Sequence, residues 1–396
     1  MAAELPMLSV FTGLGGLDLG LERSGFHSCG YIEMDSAARE SIHLNRPNWT
    51  ALVPHEVNAA AEVLTPSEFG LRRKELELLA GAPPCQPFSK AAQWSHRGRR
   101  GIDDQRSDCL SGFFQIVDAF LPRVVLIENV QGFTSGRTSA IELIVNFLRD
   151  INRRSRVSYD LSACILDAAA YGVPQHRRRA ILVAERTGKA FRVPNPTHGT
   201  NPITVWDALH DLPMVNQMTT DNRHWLELLP TIPEGENYLW HTPRGGGEPL
   251  FAYRSRFWSF LLKLAKNRPS WTLSAQPGPY AGPFHWKSRR LTSVEMLRLQ
   301  SFPPTWQVCG DTRTQTRQIG NATPPLLAEI VGRALKKQYF GARIRGCPSL
   351  ALTRSPIPCP KPEPVFPVPR KYHKLRKAWP DHPGTGRGPR PVLENR

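Results

Sequence analysis

The stretch "VFTGLGGLDLGLERSGF", residues 10–26, decides the fold class: a strand, a glycine-rich turn and a helix, followed at 31–35 by the acidic "YIEMD". Gly13, Gly15 and Gly16 let backbone approach a ligand closely, and Glu33, at the end of the next strand, can accept hydrogen bonds from ribose hydroxyls. Together they read as a nucleoside-cofactor site; a tight strand–helix turn without a ligand is the plainer alternative. The G-x-G-x-x-G spacing of a dinucleotide fingerprint is absent, which favours a nucleoside without pyrophosphate.

Outward from this unit, apolar or β-branched runs at 8–11, 29–33, 76–81, 124–129, 161–166 and 180–185 predict strands. Helical spacing at 36–45, 107–120 and 138–151 predicts helices between them. Such alternation indicates an α/β fold with a largely parallel sheet, whose ligands bind beyond the carboxyl ends of the strands. The glycine turn, Cys85 and Glu128 all fall there. From 191 to 290 the chain turns rich in Pro, Trp, His and Gly, with one amphipathic helix expected near 254–267, and reads as a second, smaller domain. Helical periodicity returns at 292–302 and at 324–339, where Pro324-Pro325 can open a helix. Residues 341–396 are basic and Pro-rich and read as a disordered or loosely docked tail.

The 396 residues contain no apolar window of the eighteen or so needed to span a bilayer, and the start lacks the basic leader and apolar run of a secretory signal. Seven scattered cysteines without a C-x-x-C pair argue against a disulfide framework and a zinc cluster, and for a reducing cytosol; no metal is expected. The formal charge is +17, and the tail holds twelve Lys/Arg against three Asp/Glu, so the body stays basic without it. A basic body suits a polyanion such as DNA or RNA; a generically basic, solubilising surface is the alternative.

Three further islands carry chemistry. In "GAPPCQPFS" (81–89) the prolines fix φ and make a stiff corner that presents the Cys85 thiol at a strand end, where a lone cysteine would otherwise be an inert buried thiol. The loop after it holds Lys90, Arg97, Arg99, Arg100 and Arg106, with Gly98 and Gly101 to let it move, and can close over a nucleic-acid backbone. "VVLIENVQGF" puts Glu128 and Asn129 at the end of an apolar strand. Partial desolvation would raise the Glu128 pKa and suit it to share a proton with a base ring; a helix-capping role is the alternative. In "YGVPQHRRRAILVAE" strand alternation places Arg177 and Arg179 on one face and Arg178 on the other, unless the run is simply a solvated face.

In this order, "FTGLGG", "PPCQPFS", "ENV", "QHRRR", "RRLTSVEMLRLQSFP" (289–303) and "RQIGNATPP" (317–325) resemble the DNA cytosine-5 methyltransferase family over about residues 7–340, in its stand-alone bacterial restriction–modification form. The resemblance implies an S-adenosylmethionine-dependent methyltransferase fold, a Rossmann-like mixed sheet with a smaller target-recognition domain. It divides the chain into a catalytic domain (1–190), a target-recognition domain (191–290), a segment returning to the catalytic domain (291–340) and the tail (341–396).

The implied reaction moves a methyl group from S-adenosyl-L-methionine to carbon 5 of a cytosine extruded from double-stranded DNA. The thiolate of Cys85 would add to carbon 6, Glu128 would hold the N3 edge, and Arg179 with Arg177 would hold the base carbonyl and organise the pocket. Cofactor contacts would fall on Phe11, Gly13, Leu14, Gly15, Gly16, Glu33, Met34, Leu110 and Asn321. Asn58 stands where the family usually has an acidic residue for the adenine amino group. DNA contacts would fall on Gln86, Ser89, Lys90, Arg97, Arg99 and Arg100, and in the recognition domain on Arg244, with Gly245–Gly247, Trp240, His241 and Trp286 as further groove candidates. The resemblance also implies a cytoplasmic monomer, paired with a cognate restriction endonuclease.

Two other functions share the fold. A tRNA cytosine-5 methyltransferase carries "CFT" just after "ENV", where this chain reads "ENVQGFTSGR". A catalytically silent DNA-binding paralogue would not need Cys85, Glu128 and the glycine turn intact. A nicotinamide dehydrogenase, suggested by the turn alone, has no use for the Cys85 corner.

Overall fold

The computed structural model describes residues 5–84, 108–134, 139–213, 224–254, 257–343, 345–350 and 357–376. Six strands form one sheet: β1 (Pro6–Val10), β2 (His27–Ile32), β3 (Leu78–Gly81), β4 (Val124–Val130), β5 (Asp160–Asp167) and β6 (Arg178–Glu185), in the order β2-β1-β3-β4-β6-β5. The first four pair in parallel, and β6 runs antiparallel to both β4 and β5. All six apolar runs are strands, and the sheet is mixed. The helices are α1 (Gly16–Ser24), α2 (Ser36–Asn45), α3 (Val57–Val63), α4 (Asp108–Phe120), α5 (Ile141–Ser155), α6 (Val205–Leu209), α7 (Ser293–Leu299), α8 (Thr312–Asn321) and α9 (Pro325–Tyr339).

Period-two alternation sorts the strand residues onto two cores. Val125, Ile127, Leu79 and Leu182 pack with Phe113 and Val117 of α4 and Ile144 and Leu148 of α5. Their neighbours Val124, Leu126, Leu78 and Ile181 pack with Leu17 and Leu21 of α1 and Leu326, Leu327 and Val331 of α9. Helix α9 opens with Pro325, whose missing N–H would have no partner in a first turn anyway. It lies against α1 closely enough that a Cβ on Gly20 would come within 2.3 Å of the Pro325 carbonyl oxygen, and one on Gly16 within 2.1 Å of the Thr323 carbonyl oxygen just before it. The segment after 290 thus returns to the first motif.

A third core joins α6, α7 and α8 to Leu14, Ile42 and Trp49. A fourth, with little regular structure, gathers Leu228, Ile232, Tyr238, Phe260 and Phe284. Here the sequence misled in one place. The helix expected near 254–267 is absent among the described residues. Phe260–Lys266 instead follows an irregular path, with Leu261 at a φ of 53°, bridging at Phe260 to Ala281 and at Lys263 to Phe284. A surface helix buries one stripe, whereas every side chain from Phe260 to Lys266 is buried. Lys263 Nζ donates to the Leu229 and Ile232 carbonyls, and burial pushes its pKa down to about 8.

The tail also departs from expectation. Residues 357–376 dock on this fourth core, to which they contribute Val368 and Tyr372. Phe366 N–H donates to the Pro230 carbonyl, the Tyr372 hydroxyl to the His224 carbonyl, and Glu363 Oε1 lies 3.0 Å from the buried Lys266 Nζ, itself 2.9 Å from Glu234. Proline-rich composition fits a loose chain, but anchor side chains and a buried ion pair hold this one down. Glu363→Gln is expected to leave Lys266 with Glu234 alone, lowering stability by about 1 kcal/mol and exposing 357–376 earlier in limited proteolysis. Residues 377–396 lie outside the described residues.

Among the described residues all six cysteines are free thiols, no group of His, Cys, Asp and Glu is arranged to hold a metal ion, and no helix is long and apolar enough to cross a membrane.

Candidate active site

The strand order changes direction between β1 and β3, which opens a crevice at their carboxyl ends, where such sheets bind ligands. Because β6 is antiparallel, its first residues lie at the same end: Val130 pairs with Arg179 and Glu128 with Ile181. This brings two islands fifty residues apart into contact. Glu128 is 5% exposed, and its Oε1 lies 2.9 Å from Arg179 Nε, the opposite charge that a buried carboxylate requires. Oε1 accepts no hydrogen bond from the described residues, so the pair is compensated in charge while an acceptor stays open.

Asn129 holds the other wall. Its Nδ2 donates to the Pro83 carbonyl at 2.9 Å, and its Oδ1 accepts from Val130 N–H. Parallel pairing of Gly81 with Ile127 leads the chain leaving β3 alongside Glu128 and Asn129. The Pro83-Pro84 corner is therefore tied to the strand end that carries the carboxylate. Cys85, Gln86, Ser89, Lys90, Arg97, Arg99 and Arg100 lie outside the described residues.

Alternation at the start of β6 holds as expected: Arg178 is exposed while Arg177 and Arg179 are buried. Arg177 faces inward. It is 0% exposed; its Nη2 donates to the Gly320 and Ala322 carbonyls, both at 2.9 Å, and its Nη1 reaches the Leu273 carbonyl at 3.5 Å. Its guanidinium thus braces the main chain on both sides of Asn321. Two further residues join this network unannounced. Gln300 Nε2 donates to the Ile319 carbonyl, and Gln175 Oε1 accepts from Leu273 N–H while its Nε2 donates to Gln300. Both glutamines lie in the quoted motifs; a polar side chain amid apolar neighbours was the available signal.

On the cofactor side, Gly13 sits in the left-handed region with φ of 56°, and a Cβ there would meet nothing within 4 Å. The turn is thus an open cradle. Glu33 Oε2 accepts from Gly13 N–H at 2.7 Å and Oε1 from Asp35 N–H at 2.7 Å, fixing the carboxylate at the turn. Burial raises its pKa, and those two N–H donors oppose the rise. Phe11 N–H donates to the Ile32 carbonyl at the strand ends, and Met34 stands 72% exposed beside Glu33. Asn321, the last residue of α8, is exposed. Asp35 caps α2 and pairs with Arg317 of α8; the guanidinium overcomes partial burial and holds the Asp35 pKa below its ordinary value.

Leu14, Gly15 and Gly16 build the turn from beneath, Leu14 packing with Trp49 and Ile42. Leu110 is buried with Val10, Ile32 and Val57. Asn58 Oδ1 accepts from Gly112 N–H at 3.1 Å, which fastens α3 to α4 and leaves this oxygen a second lone pair. In the smaller unit His241 and Trp286 are core residues, and Gly245–Gly247 fold around Trp240, whose ring a Cβ at Gly246 or Gly247 would strike. Arg244 is exposed, its guanidinium 3.7 Å from the Tyr253 ring centre.

Asp18, in the first turn of α1, is wholly buried, and neither oxygen makes a hydrogen bond among the described residues. Burial pushes its pKa up to about 7, with the nearby Ser9 hydroxyl opposing and Glu33 and Glu22 adding to the rise. A carboxyl whose folded pKa is raised stabilises most below its unfolded pKa near 3.8, and that contribution is lost as pH rises through 7. Native stability relative to Asp18→Asn should therefore fall by about 1.4 kcal/mol between pH 6 and 8, as measured by urea unfolding.

Comparison with known proteins agrees with this geometry. Residues 5–337 match the family described as C-5 cytosine-specific DNA methylase. The chain is 35% identical over 391 residues to the Type II methyltransferase M.SacI of Streptomyces achromogenes, covering 89% of this chain and 98% of that protein. It is 30% identical over 352 residues to M.NgoMIV of Neisseria gonorrhoeae, covering 85% and 99%. Among solved structures, a prophage-encoded E. coli protein superposes with TM-score 0.57 at 22% identity (85% of this chain, 99% of that one), and the methyltransferase EhMeth of Entamoeba histolytica with TM-score 0.56 at 15% identity (85% and 98%), which supports the shared fold. With the match spanning most of its length, this chain belongs to the C-5 cytosine-specific DNA methylase family.

Proposed function

We propose that this DNA cytosine-5 methyltransferase uses S-adenosyl-L-methionine and acts on a cytosine extruded from double-stranded DNA into the pocket walled by Glu128, Arg179 and the Pro83-Pro84 corner. The observation that carries the assignment is the buried Glu128–Arg179 pair with an acceptor left open at Oε1. A cytosine protonated at N3, or its amino group, supplies the donor that such an acceptor needs. Arg179 offers the complementary donors for the base carbonyl.

The cradle at Gly13 fits the cofactor, since the turn leaves open space where a side chain would stand and Met34 exposes an apolar surface beside it. Phe11, Gly13, Glu33, Met34 and Asn321 would hold S-adenosylmethionine, with Glu33 on the ribose hydroxyls. When bound, the cofactor supplies an electrophilic methyl group. The chain's own part is to make carbon 5 nucleophilic. The Cys85 thiolate forms a bond to carbon 6 while Glu128 delivers and holds a proton at N3, so that the electron pair displaced from the carbon 5–carbon 6 bond ends in a neutral ring with an enamine-like carbon 5. After methylation, loss of the carbon 5 proton expels the thiolate and restores the aromatic ring. The basic loop with Lys90, Arg97, Arg99 and Arg100, together with Gln86, Ser89 and Arg244, would contact the DNA. The enzyme would act as a monomer in the cytoplasm, alongside an endonuclease reading the same sequence.

The test is expression in a methylation-free bacterial host with bisulfite sequencing of its DNA, beside a Cys85→Ala control. Protected cytosines in one short sequence, absent from the control, are the expected result. Soluble protein that protects none overturns the assignment.

A further inference from the structure

Among the described residues two tryptophans are exposed. Trp258 is 48% and Trp271 38% exposed, while Trp49, Trp286 and Trp306 are buried. Their rings touch, with centroids 5.5 Å apart at 57°. Trp258 belongs to the smaller unit, where Asn237 Nδ2 donates to its carbonyl at 2.6 Å. Trp271 belongs to the segment that braces the start of β6. Its neighbour Ser270 bridges to Gln175, Thr272 Oγ1 donates to the His176 carbonyl at 2.6 Å, and Leu273 receives Arg177. The Trp271 backbone is therefore anchored beside His176, three residues before Arg179. Two touching indoles facing water offer a flat apolar surface that a partner can cover.

We propose that Trp258 and Trp271 form an aromatic platform on which the duplex bases next to the extruded cytosine stack. The occupant follows from position. Trp271 stands on the segment bonded to Gln175 and His176, next to Arg179 at the end of the sheet where the base would enter, and extrusion unstacks the neighbours of that base. Indole faces take such bases without regard to their identity. The platform therefore holds the opened duplex, leaving sequence discrimination to polar contacts elsewhere, and it explains why a second aromatic ring from the smaller unit backs the first. This inference rests on the pocket assigned above.

The test uses the full chain and a duplex carrying the sequence found by bisulfite mapping. Methylation of that duplex by the native chain checks the pocket itself, so failure there is distinct from failure of the platform. Trp258→Ala and Trp271→Ala are each expected to weaken duplex binding about tenfold. The two losses should combine less than additively, because the rings touch. S-adenosylmethionine affinity and Tm should stay unchanged, and Trp→Phe should restore most of the binding. In the native chain, DNA should protect tryptophan fluorescence from acrylamide, and that protection should shrink in the double Phe variant. Alanine variants that bind within about twofold of native overturn the platform. So does a loss of binding matched by a loss of Tm, or indole protection that grows with protein concentration in the absence of DNA, which would assign the patch to a second copy of the chain.

Discussion

The Glu128→Gln enzyme is expected to bind DNA and S-adenosylmethionine as the native chain does and to lose about 10²- to 10⁴-fold in kcat. Glutamine keeps the shape and an acceptor toward Arg179 but cannot deliver the proton to N3 that neutralises the charge created by addition at carbon 6. Single-turnover methyl transfer, measured with saturating DNA, isolates the chemical step. A fall of less than about tenfold would remove Glu128 from the reaction. Losing the carboxylate also leaves Arg179 buried without its counter-charge, so some stability will go with the activity. The double variant Glu128→Gln/Arg179→Met separates the two effects: it should regain Tm and remain inactive.

Arg177→Ala is expected to destabilise the fold by roughly 3–6 kcal/mol, since it removes two short hydrogen bonds from a charged donor at about 1.5–3 kcal/mol each. The carbonyls that Arg177 meets belong to Leu273, Gly320 and Ala322, so one side chain fastens the start of β6 to the segments on either side. Arg177→Lys is the sharper probe. Lysine keeps the charge without the planar fork that reaches two carbonyls flanking Asn321 at once. It should raise KM for S-adenosylmethionine several-fold with kcat near native and a smaller stability loss. Urea unfolding reads the first effect and initial-rate kinetics the second. An Arg177→Lys enzyme with native KM would mean that Asn321 is held without the fork.

Much of this site lies open in the sequence because its parts are local. A strand followed by glycines and then a helix can make only a few turns, and Gly13 does take up a backbone conformation that side chains disfavour. The six apolar runs were long and uniform enough to be buried strands, and Pro325 opens its helix for a reason internal to proline. Even the split of Arg177 and Arg179 from Arg178 follows from a period of two. Where the reading went astray, the deciding contact came from far along the chain. The spacing of 254–267 suits a helix in isolation, yet Ala281 and Phe284 take up its backbone, and a chain buried on every side has no use for an amphipathic stripe. The bond from Gly112 N–H to the Asn58 side chain joins residues more than fifty positions apart and is likewise invisible locally. His241 and Trp286 looked like groove residues by type and are core by packing.

The succession of the six strands, the glycine cradle and the residue types that could carry methyl transfer are legible along the chain, because each depends on near neighbours. Which of those residues meet is a matter of the fold. Glu128 and Arg179 pair because β6 runs antiparallel between β4 and β5. Arg177 serves Asn321 because α8 returns across 143 residues to the start of β6. The Pro-rich tail is a docked strap because Tyr372 and Glu363 find partners in a core built from 224–284. Each of these is a long-range contact between buried polar groups, whose partners are fixed by the sheet register and the packed helices and by nothing within a few residues of either end.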